Sequence, residues 1–281
     1  MTPQRGQFRR ILSGGGVVPA VIILLLLMPS PAAAKQAAFT LEPDTIRTEV
    51  GDLLAQADGA QRNFNNRKAL ALYSEALAIE SRNADILWRV SRSYLDVGEH
   101  LPSATDQDRH KQLEMYEEAL AAAERSIAAD DGNSMAYTYH AIALSRVGLF
   151  KGFWEYVGIL KDTRKDLRKA IAIDSTNHLA YYALGMACFR GSERPWIFRW
   201  PLGIAWANTE QALRNFEKAT LLRGDLIKYQ LACARVLATR GEYERARVYL
   251  DRIAGLQTLE EDDEQYRREA KELLDRIKDE E

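Results

Sequence analysis

The stretch NHLAYYALGMACFRG, residues 177–191, carries the pattern that decides the fold. Asn is a strong helix N-cap, because its side-chain oxygen accepts a free backbone N–H of the first turn. Gly after the last turn adopts the left-handed conformation that ends many helices. The same signals, Asn at the start and Gly at the end, recur at 83–98 and 133–148, and a weaker version runs from Asp225 or Leu226 to Gly241. A helix repeated with the same signals predicts a stack of helical hairpins.

Second helices lie between these segments and carry small or apolar residues at positions i, i+4 and i+7, which share one helical face. These sets are Ala69, Tyr73 and Ala76; Ala119, Ala123 and Ser126; Ala212, Phe216 and Ala219; and Ala246, Leu250 and Ile253. The first helices carry complementary residues at i, i+3, i+4 and i+7, as in the set Tyr181, Leu184, Gly185 and Cys188. These offsets resemble the tetratricopeptide pattern. They predict an all-α, tetratricopeptide-like α-solenoid of about five helical hairpins with a C-terminal capping helix.

The repeat period is longer than the tetratricopeptide period of about 34 residues. Asn83 and Asn133 lie 50 residues apart, and Asn133 and Asn177 lie 44 apart. The helix pairs are predicted at 44–58 with 66–81, 84–97 with 106–130, 134–148 with 163–174, 178–190 with 207–223 and 226–240 with 242–254, followed by a capping helix at about 263–279. The surplus residues form three insertions, at about 99–108, 149–162 and 191–207. Insertions at equivalent places in a solenoid emerge on one face, so we expect one composite surface.

Aromatic residues concentrate in the second and third insertions. The candidate ligand- or partner-binding residues there are Phe153, Trp154, Tyr156, Pro195, Trp196, Phe198, Trp200 and Trp206. One interpretation is an exposed amphipathic lip that contacts a partner peptide, a lipid or a membrane surface, since Trp suits apolar–polar boundaries. The other is that the aromatic side chains of the third insertion plug the groove of the solenoid, and that the second insertion is a short extra helix packed on its own repeat. If both insertions face one concavity, they form an apolar pocket for an acyl chain or a hydrophobic peptide.

The first 34 residues have the composition of a secretory signal peptide. Three arginines precede an apolar run at 17–28, and Ala32, Ala33 and Ala34 supply small residues for a signal peptidase. We expect cleavage between Ala34 and Lys35. An N-terminal membrane anchor is the alternative, although the run is shorter than the ~20 residues of a spanning helix. The predicted organisation is a signal peptide at 1–34, a linker at 35–43 and a repeat domain at 44–281, in an exported bacterial protein that is periplasmic or extracellular.

Composition excludes several classes of function. The net charge of −2 opposes nucleic-acid binding, which requires a basic face. Cys188 and Cys233 lie in apolar helical stripes and are expected to be buried thiols, with a disulfide as the alternative in an exported protein. The four histidines show no metal-ligand spacing, and no phosphate loop or nucleophile elbow occurs in the sequence. We therefore expect no enzymatic activity, no cofactor and no metal.

Several segments resemble the regulator of microtubule dynamics protein family. They are 86–90 leading to 96–98, Val147 and Gly148 with Gly152, 168–174, the helix at 181–188, and Pro195 with Trp196. The resemblance covers about 69–277 and implies a tetratricopeptide-like helical protein without catalysis. Family members in animals are associated with microtubules, and one is a mitochondrial tether whose repeat domain binds phospholipid in an apolar cavity. A signal peptide argues against microtubule binding here, because an exported protein does not meet tubulin.

Two functions therefore remain open. The first is a non-enzymatic, exported adaptor or scaffold that binds a protein or peptide partner in its concave groove. The second is a solenoid that binds or tethers a phospholipid or another hydrophobic ligand, with four aromatic residues at the mouth of the site: Trp196, Phe198, Trp200 and Trp206.

Overall fold

The computed structural model describes residues 43–280, which fold into helices joined by turns and loops. The helices are α1 (Pro43–Arg62), α2 (Asn66–Ile79), α3 (Ala84–Glu99), α4 (Asp106–Ala129), α5 (Ser134–Gly148), α6 (Phe153–Ile173), α7 (His178–Ser192), α8 (Trp196–Arg199), α9 (Thr209–Leu222), α10 (Ile227–Thr239), α11 (Tyr243–Ile253) and α12 (Asp263–Ile277). The predicted signal peptide, its cleavage site at Ala34 and Lys35, and most of the linker lie outside the described residues. Between residues 43 and 280, no helix combines the length and the apolar character needed to cross a membrane.

The helices pack in sequence order as five hairpins: α1 with α2, α3 with α4, α5 with α6, α7 with α9, and α10 with α11. Helix α12 packs on α10 and α11 and buries Ala270, Leu273 and Ile277. Each predicted i, i+4, i+7 set of the second helices is buried in the core. The predicted all-α solenoid of five hairpins with a C-terminal capping helix is therefore confirmed.

Asparagine side chains begin the first helices as the sequence predicts. The Oδ1 atom of Asn83 accepts from the backbone N–H groups of Asp85 and Ile86, at 2.9 and 3.2 Å. Asn133 and Asn177 accept in the same way from the residues three positions later, at 3.1 and 3.0 Å. The fourth segment begins at Leu226, which offers no side-chain cap. Three of the four first helices after α1 are thus capped by the same local interaction.

The predicted role of the closing glycines is wrong for three of them. Gly98 and Gly191 lie inside their helices, Gly148 is the last residue of α5, and none of the three has a positive φ. Gly241 does adopt the left-handed conformation, with φ of 74°. The other three glycines are instead required because a neighbouring side chain packs directly against the backbone at each of them. A Cβ atom at Gly98 would lie 2.8 Å from a ring carbon of Tyr116, one at Gly148 3.0 Å from Ile159, and one at Gly191 2.4 Å from Ala207.

The three surplus segments do not share one conformation. The sequence predicts that the surplus segment at 149–162 precedes the second helix of its hairpin. In the structure, that helix, α6, begins at Phe153 and continues to Ile173 without a break. The surplus therefore lengthens α6 at its N-terminal end. The first surplus is a short loop before the 24-residue helix α4. The third contains α8 and an irregular loop, because Pro195 and Pro201 interrupt a continuous helix there.

The second and third surplus regions nevertheless pack against each other, and the helix that follows the first surplus region reaches the second. The guanidinium of Arg109, near the start of α4, lies 5.6 Å from the ring centroid of Phe150. In turn, Val157 and Leu160 at the start of α6 form a buried cluster with Ile204 of the third region.

Glycine 185 offers a direct test of the helix pairing. A Cβ atom there would lie 2.5 Å from two ring carbons of Phe216 on α9. We expect Gly185→Ala to lower the free energy of unfolding by about 1–3 kcal/mol through overpacking, measured by urea denaturation. Gly158→Ala is the matched control, because it adds the same methyl group to helix α6 where nothing lies within 4 Å. The control should raise stability by roughly 0.5–1 kcal/mol. Equal effects of the two substitutions would contradict the pairing of α7 with α9.

Candidate functional site

A cavity of about 730 Å³ lies along the first helices α3, α5, α7 and α10. Its apolar and aromatic lining includes Met135, Tyr139, Ile142, Tyr182, Met186, Tyr229 and Tyr266. Its charged lining consists of Arg92, Arg146, Arg190, Arg223, Lys228 and Arg235, against Asp96, Glu99, Asp174 and Glu260. The volume is within the range of ligand-binding pockets. The cavity is therefore amphipathic, and cationic side chains outnumber anionic ones.

Aromatic side chains form a fixed surface at the α7–α10 side of the cavity. The rings of Tyr182 and Tyr229 stack with centroids 4.7 Å apart. The Tyr229 hydroxyl and His178 Nδ1 form a hydrogen bond of 2.7 Å. Burial lowers the pKa of His178, so the imidazole is neutral at pH 7. The Nζ atom of Lys228 lies 5.5 Å from the Tyr182 centroid, close enough for a cation–π interaction.

An acidic segment of the chain itself closes one end of the cavity. We call residues 259–262, between α11 and α12, the acidic strap. Lys228 Nζ donates to Glu260 Oε1 at 2.6 Å, and Asn66 Nδ2 donates to Glu261 Oε2 at 2.7 Å. The buried carboxylate of Asp263 accepts from the backbone N–H groups of Leu259 and Glu260, at 2.7 and 2.8 Å. The Asp263 carboxylate thus fixes the N-terminal half of the strap, and the strap joins the last hairpin to the first.

Titratable groups cluster where the strap meets α1 and α3, around a second cavity of about 280 Å³. Gln61 donates to Asp96 at 2.7 Å, and Arg92 lies 3.5 Å from the same carboxylate. Burial nevertheless raises the pKa of Asp96 to about 6. His100 Nε2 lies 3.4 Å from carboxylate oxygens of Glu261 and of the next residue. Burial alone would lower the pKa of His100, but its hydrogen bond to the Asp96 carbonyl and these carboxylates raise it.

The predicted aromatic site residues divide into two groups. Tyr156 lines the large cavity, and Trp206 is half-buried with the Arg164 guanidinium 4.7 Å from its ring centroid. By contrast, Trp154, Trp196 and Trp200 are 74%, 72% and 78% exposed. Pro195 is exposed as well. The described structure does not include the side chains of Phe153 and Phe198. These exposures favour the lip interpretation for Trp196 and Trp200 and oppose the plug.

The third insertion is anchored at its base. Arg199 Nη1 donates to the backbone carbonyl of Ala207 at 2.5 Å. Ile204 is 2% exposed, and the methyl group of Ala207 packs against Gly191 where no Cβ would fit. Gly203 has φ of 68°, a conformation that L side chains rarely adopt. The backbone therefore holds the two tryptophans outward while Ile204 and Ala207 point inward.

Sequence reasoning missed the charged lining of the cavity. Lys228 and Arg235 lie seven positions apart on α10, so they share one face of a helix whose other positions are largely buried and apolar. The sequence signal that could have revealed this lining is the pair of cations, Lys228 and Arg235, on one face of an otherwise apolar helix. Cys188 and Cys233 are free, buried thiols, and burial raises the pKa of each to about 12. Among residues 43–280, no group of three His, Cys, Asp or Glu is arranged to hold a metal ion.

Comparison with known proteins adds a family to this geometry. The family model described as regulator of microtubule dynamics protein 1-3 matches residues 53–278. The chain is 27% identical over 232 residues to regulator of microtubule dynamics protein 1 of Mus musculus, covering 80% of this chain and 74% of the mouse protein. It is 26% identical over 259 residues to protein 3 of Rattus norvegicus, covering 86% of this chain and 52% of that relative. A tetratricopeptide protein of Thermus thermophilus shares the fold, with a TM-score of 0.59 at 15% identity over 80% of this chain and 98% of that one.

The raised pKa of Asp96 has a measurable consequence for stability. The native state binds this proton more tightly than the unfolded chain, in which aspartate titrates near 3.9. Its contribution to the free energy of unfolding therefore falls as the pH rises from about 4 to about 6, and the loss is complete above that range. We expect Asp96→Asn to remove this decline while keeping an acceptor for Gln61. Melting temperatures of both proteins between pH 4 and 8 check this, and parallel curves would contradict it.

Proposed function

The chain belongs to the family of regulator of microtubule dynamics proteins 1–3, and we propose that it is a non-enzymatic adaptor whose cavity binds an acidic peptide segment of a partner protein. Helical-repeat proteins bind partners on extended concave surfaces. The observation that supports a peptide here is the acidic strap, in which Glu260 is held by Lys228 at 2.6 Å inside the cavity lining. An acidic segment of the chain thus already lines one end of the cavity.

The strap also indicates which peptide chemistry the cavity accepts. Leu259 lines the cavity beside Glu260, so an apolar side chain and a carboxylate enter together. Buried charges need partners, and the cations of the lining can provide them for carboxylates. Lys228 pairs with Glu260 of the strap, and four other cations pair with carboxylates elsewhere in the chain: Arg92, Arg146, Arg223 and Arg235. The stacked Tyr182 and Tyr229 offer an apolar surface for the peptide's aliphatic or aromatic side chains. A partner segment with alternating acidic and apolar residues fits this lining.

We propose as part of the same function that the protein is exported. The animal relatives are named for microtubule dynamics, whereas a signal peptide would take this chain away from tubulin. We therefore propose a partner in the compartment that receives the exported protein, and we leave microtubule binding out of the function.

A phospholipid is the second candidate ligand, and the composition of the cavity lining favours it. Tyrosine and methionine side chains would contact acyl chains, while the arginines and Lys228 would bind an anionic head group. Native mass spectrometry of protein purified from cells separates the two candidates. A stoichiometric co-purifying phospholipid supports the second, and a delipidated protein that fails to bind labelled lipid excludes it.

The peptide proposal predicts competition between the strap and a free peptide. The probe is a fluorescent peptide of residues 256–264, LQTLEEDDE. We expect Glu260→Ala/Glu261→Ala to bind it about tenfold more tightly than the wild type, because the strap no longer occupies the site, and a tenfold change is 1.4 kcal/mol. Adding Lys228→Ala should abolish the gain, whereas Lys271→Ala, at an exposed position on α12, should not.

Fluorescence anisotropy measures these affinities, with LQTLQQNNQ as the uncharged control peptide. Binding of both peptides with equal affinity would contradict charge recognition. Absence of peptide binding in every variant would exclude the peptide function.

The export proposal predicts a mature protein that begins at Lys35. N-terminal sequencing of the protein recovered from the cell envelope or the medium checks this. A chain that retains residues 1–34 and stays with the membrane fraction supports the N-terminal anchor instead.

A further inference from the structure

Three tryptophans and two aliphatic residues form an exposed apolar surface beside the cavity. Trp154, Trp196 and Trp200 are each more than 70% exposed, and Ile197 and Leu149 are 52% and 49% exposed. They account for half of the large hydrophobic residues that are exposed in the described part of the chain. We call residues 149–154 and 195–200 the aromatic edge. Exposed apolar surface of this kind marks interaction sites in soluble proteins.

The exposure is built into the fold rather than caused by an unanchored loop. The carbonyl of Ala207 fixes Arg199, and buried Ile204 packs with Val157 and Leu160 of α6. Both parts of the aromatic edge are therefore attached to one buried cluster. Turning Trp196 or Trp200 inward would require this base to move.

The charge around the aromatic edge is positive, although the whole chain has a net charge of −2. Segments 149–165 and 190–206 together contain seven Lys or Arg and three Asp or Glu. The basic residues are Lys151, Lys161, Arg164, Lys165, Arg194 and Arg199, together with Arg190, which also lines the cavity. Tryptophan flanked by cations is the composition of protein surfaces that lie in the interface of an anionic bilayer.

We propose that the aromatic edge docks on the surface of an anionic lipid bilayer, with Trp154, Trp196 and Trp200 inserted at the level of the head groups. This function is separate from peptide binding in the cavity. Charge complementarity selects the bilayer over a second copy of the chain, because two copies meeting at this edge would bring like charges together. The negative surface potential of an anionic membrane attracts the basic residues, and the indoles add buried apolar area.

The test is sedimentation of the purified mature chain with extruded vesicles. One vesicle is phosphatidylcholine alone, and the other is phosphatidylcholine mixed with phosphatidylglycerol. We expect binding to the mixed vesicles that weakens with added salt, as screening requires. Tryptophan emission should shift to shorter wavelength, and brominated lipid should quench it. The Trp196→Ala/Trp200→Ala variant should bind the mixed vesicles about tenfold more weakly, because about 1.4 kcal/mol of insertion energy is lost, while its melting temperature stays unchanged.

Leu221→Ala is the matched control, because Leu221 is 78% exposed at the C-terminal end of α9, whereas the aromatic edge precedes the N-terminal end of that helix. It should bind vesicles like the wild type. Three results would overturn the proposal: no binding of the wild type to mixed vesicles, equal binding of the double variant, or a wild-type dimer that the double variant converts to monomer. The last result would assign the aromatic edge to contact between copies of the chain.

Discussion

Close contact between a glycine of a first helix and a bulky neighbour determines how each central hairpin is built. Gly98 meets Tyr116, Gly148 meets Ile159, and a Cβ at any of these glycines would come within about 3 Å of its neighbour. Protein interiors are packed at crystal density, so a methyl group at such a contact forces the helices apart. These contacts lie at the C-terminal ends of the first helices, where the surplus residues begin. They therefore fix the position of the edge as well as the spacing of the helices.

The cavity follows from the same arrangement, and one of its cations, Lys228, pairs with the strap. First helices face inward and bring several cations into one partly enclosed volume, where a lone charge is costly. Glu260 compensates Lys228, and although burial alone would lower the pKa of Lys228, this carboxylate raises it, so the amine stays charged. The strap is thus an internal counter-ion for the cavity. Under the peptide proposal, a partner segment that replaces the strap must supply carboxylates of its own, and this requirement would make the site selective for acidic peptides.

Local sequence signals predict the fold. The features that the sequence does not reveal depend on contacts between residues that are far apart in the chain. The caps at Asn83, Asn133 and Asn177 depend on residues two or three positions away, so they can be read directly. The closing glycines misled because a left-handed turn and a close helix contact both favour Gly. The contact between Asn66 and Glu261 joins residues 195 positions apart and leaves no periodic signal. The sequence predicts that the aromatic candidates share one edge, but their division into exposed and cavity-lining side chains depends on where α6 begins.

The early start of α6 connects the two proposed surfaces. Trp154 and Tyr156 are two residues apart on this helix, which places their side chains about 200° apart around its axis. One is exposed on the aromatic edge, and the other lines the cavity. A loop at this position would have let both side chains turn to the same side. Because the surplus residues extend the helix, a rigid element separates the exposed apolar surface from the charged cavity. If the chain docks on a bilayer through its tryptophans as proposed, its cavity stays free for a partner.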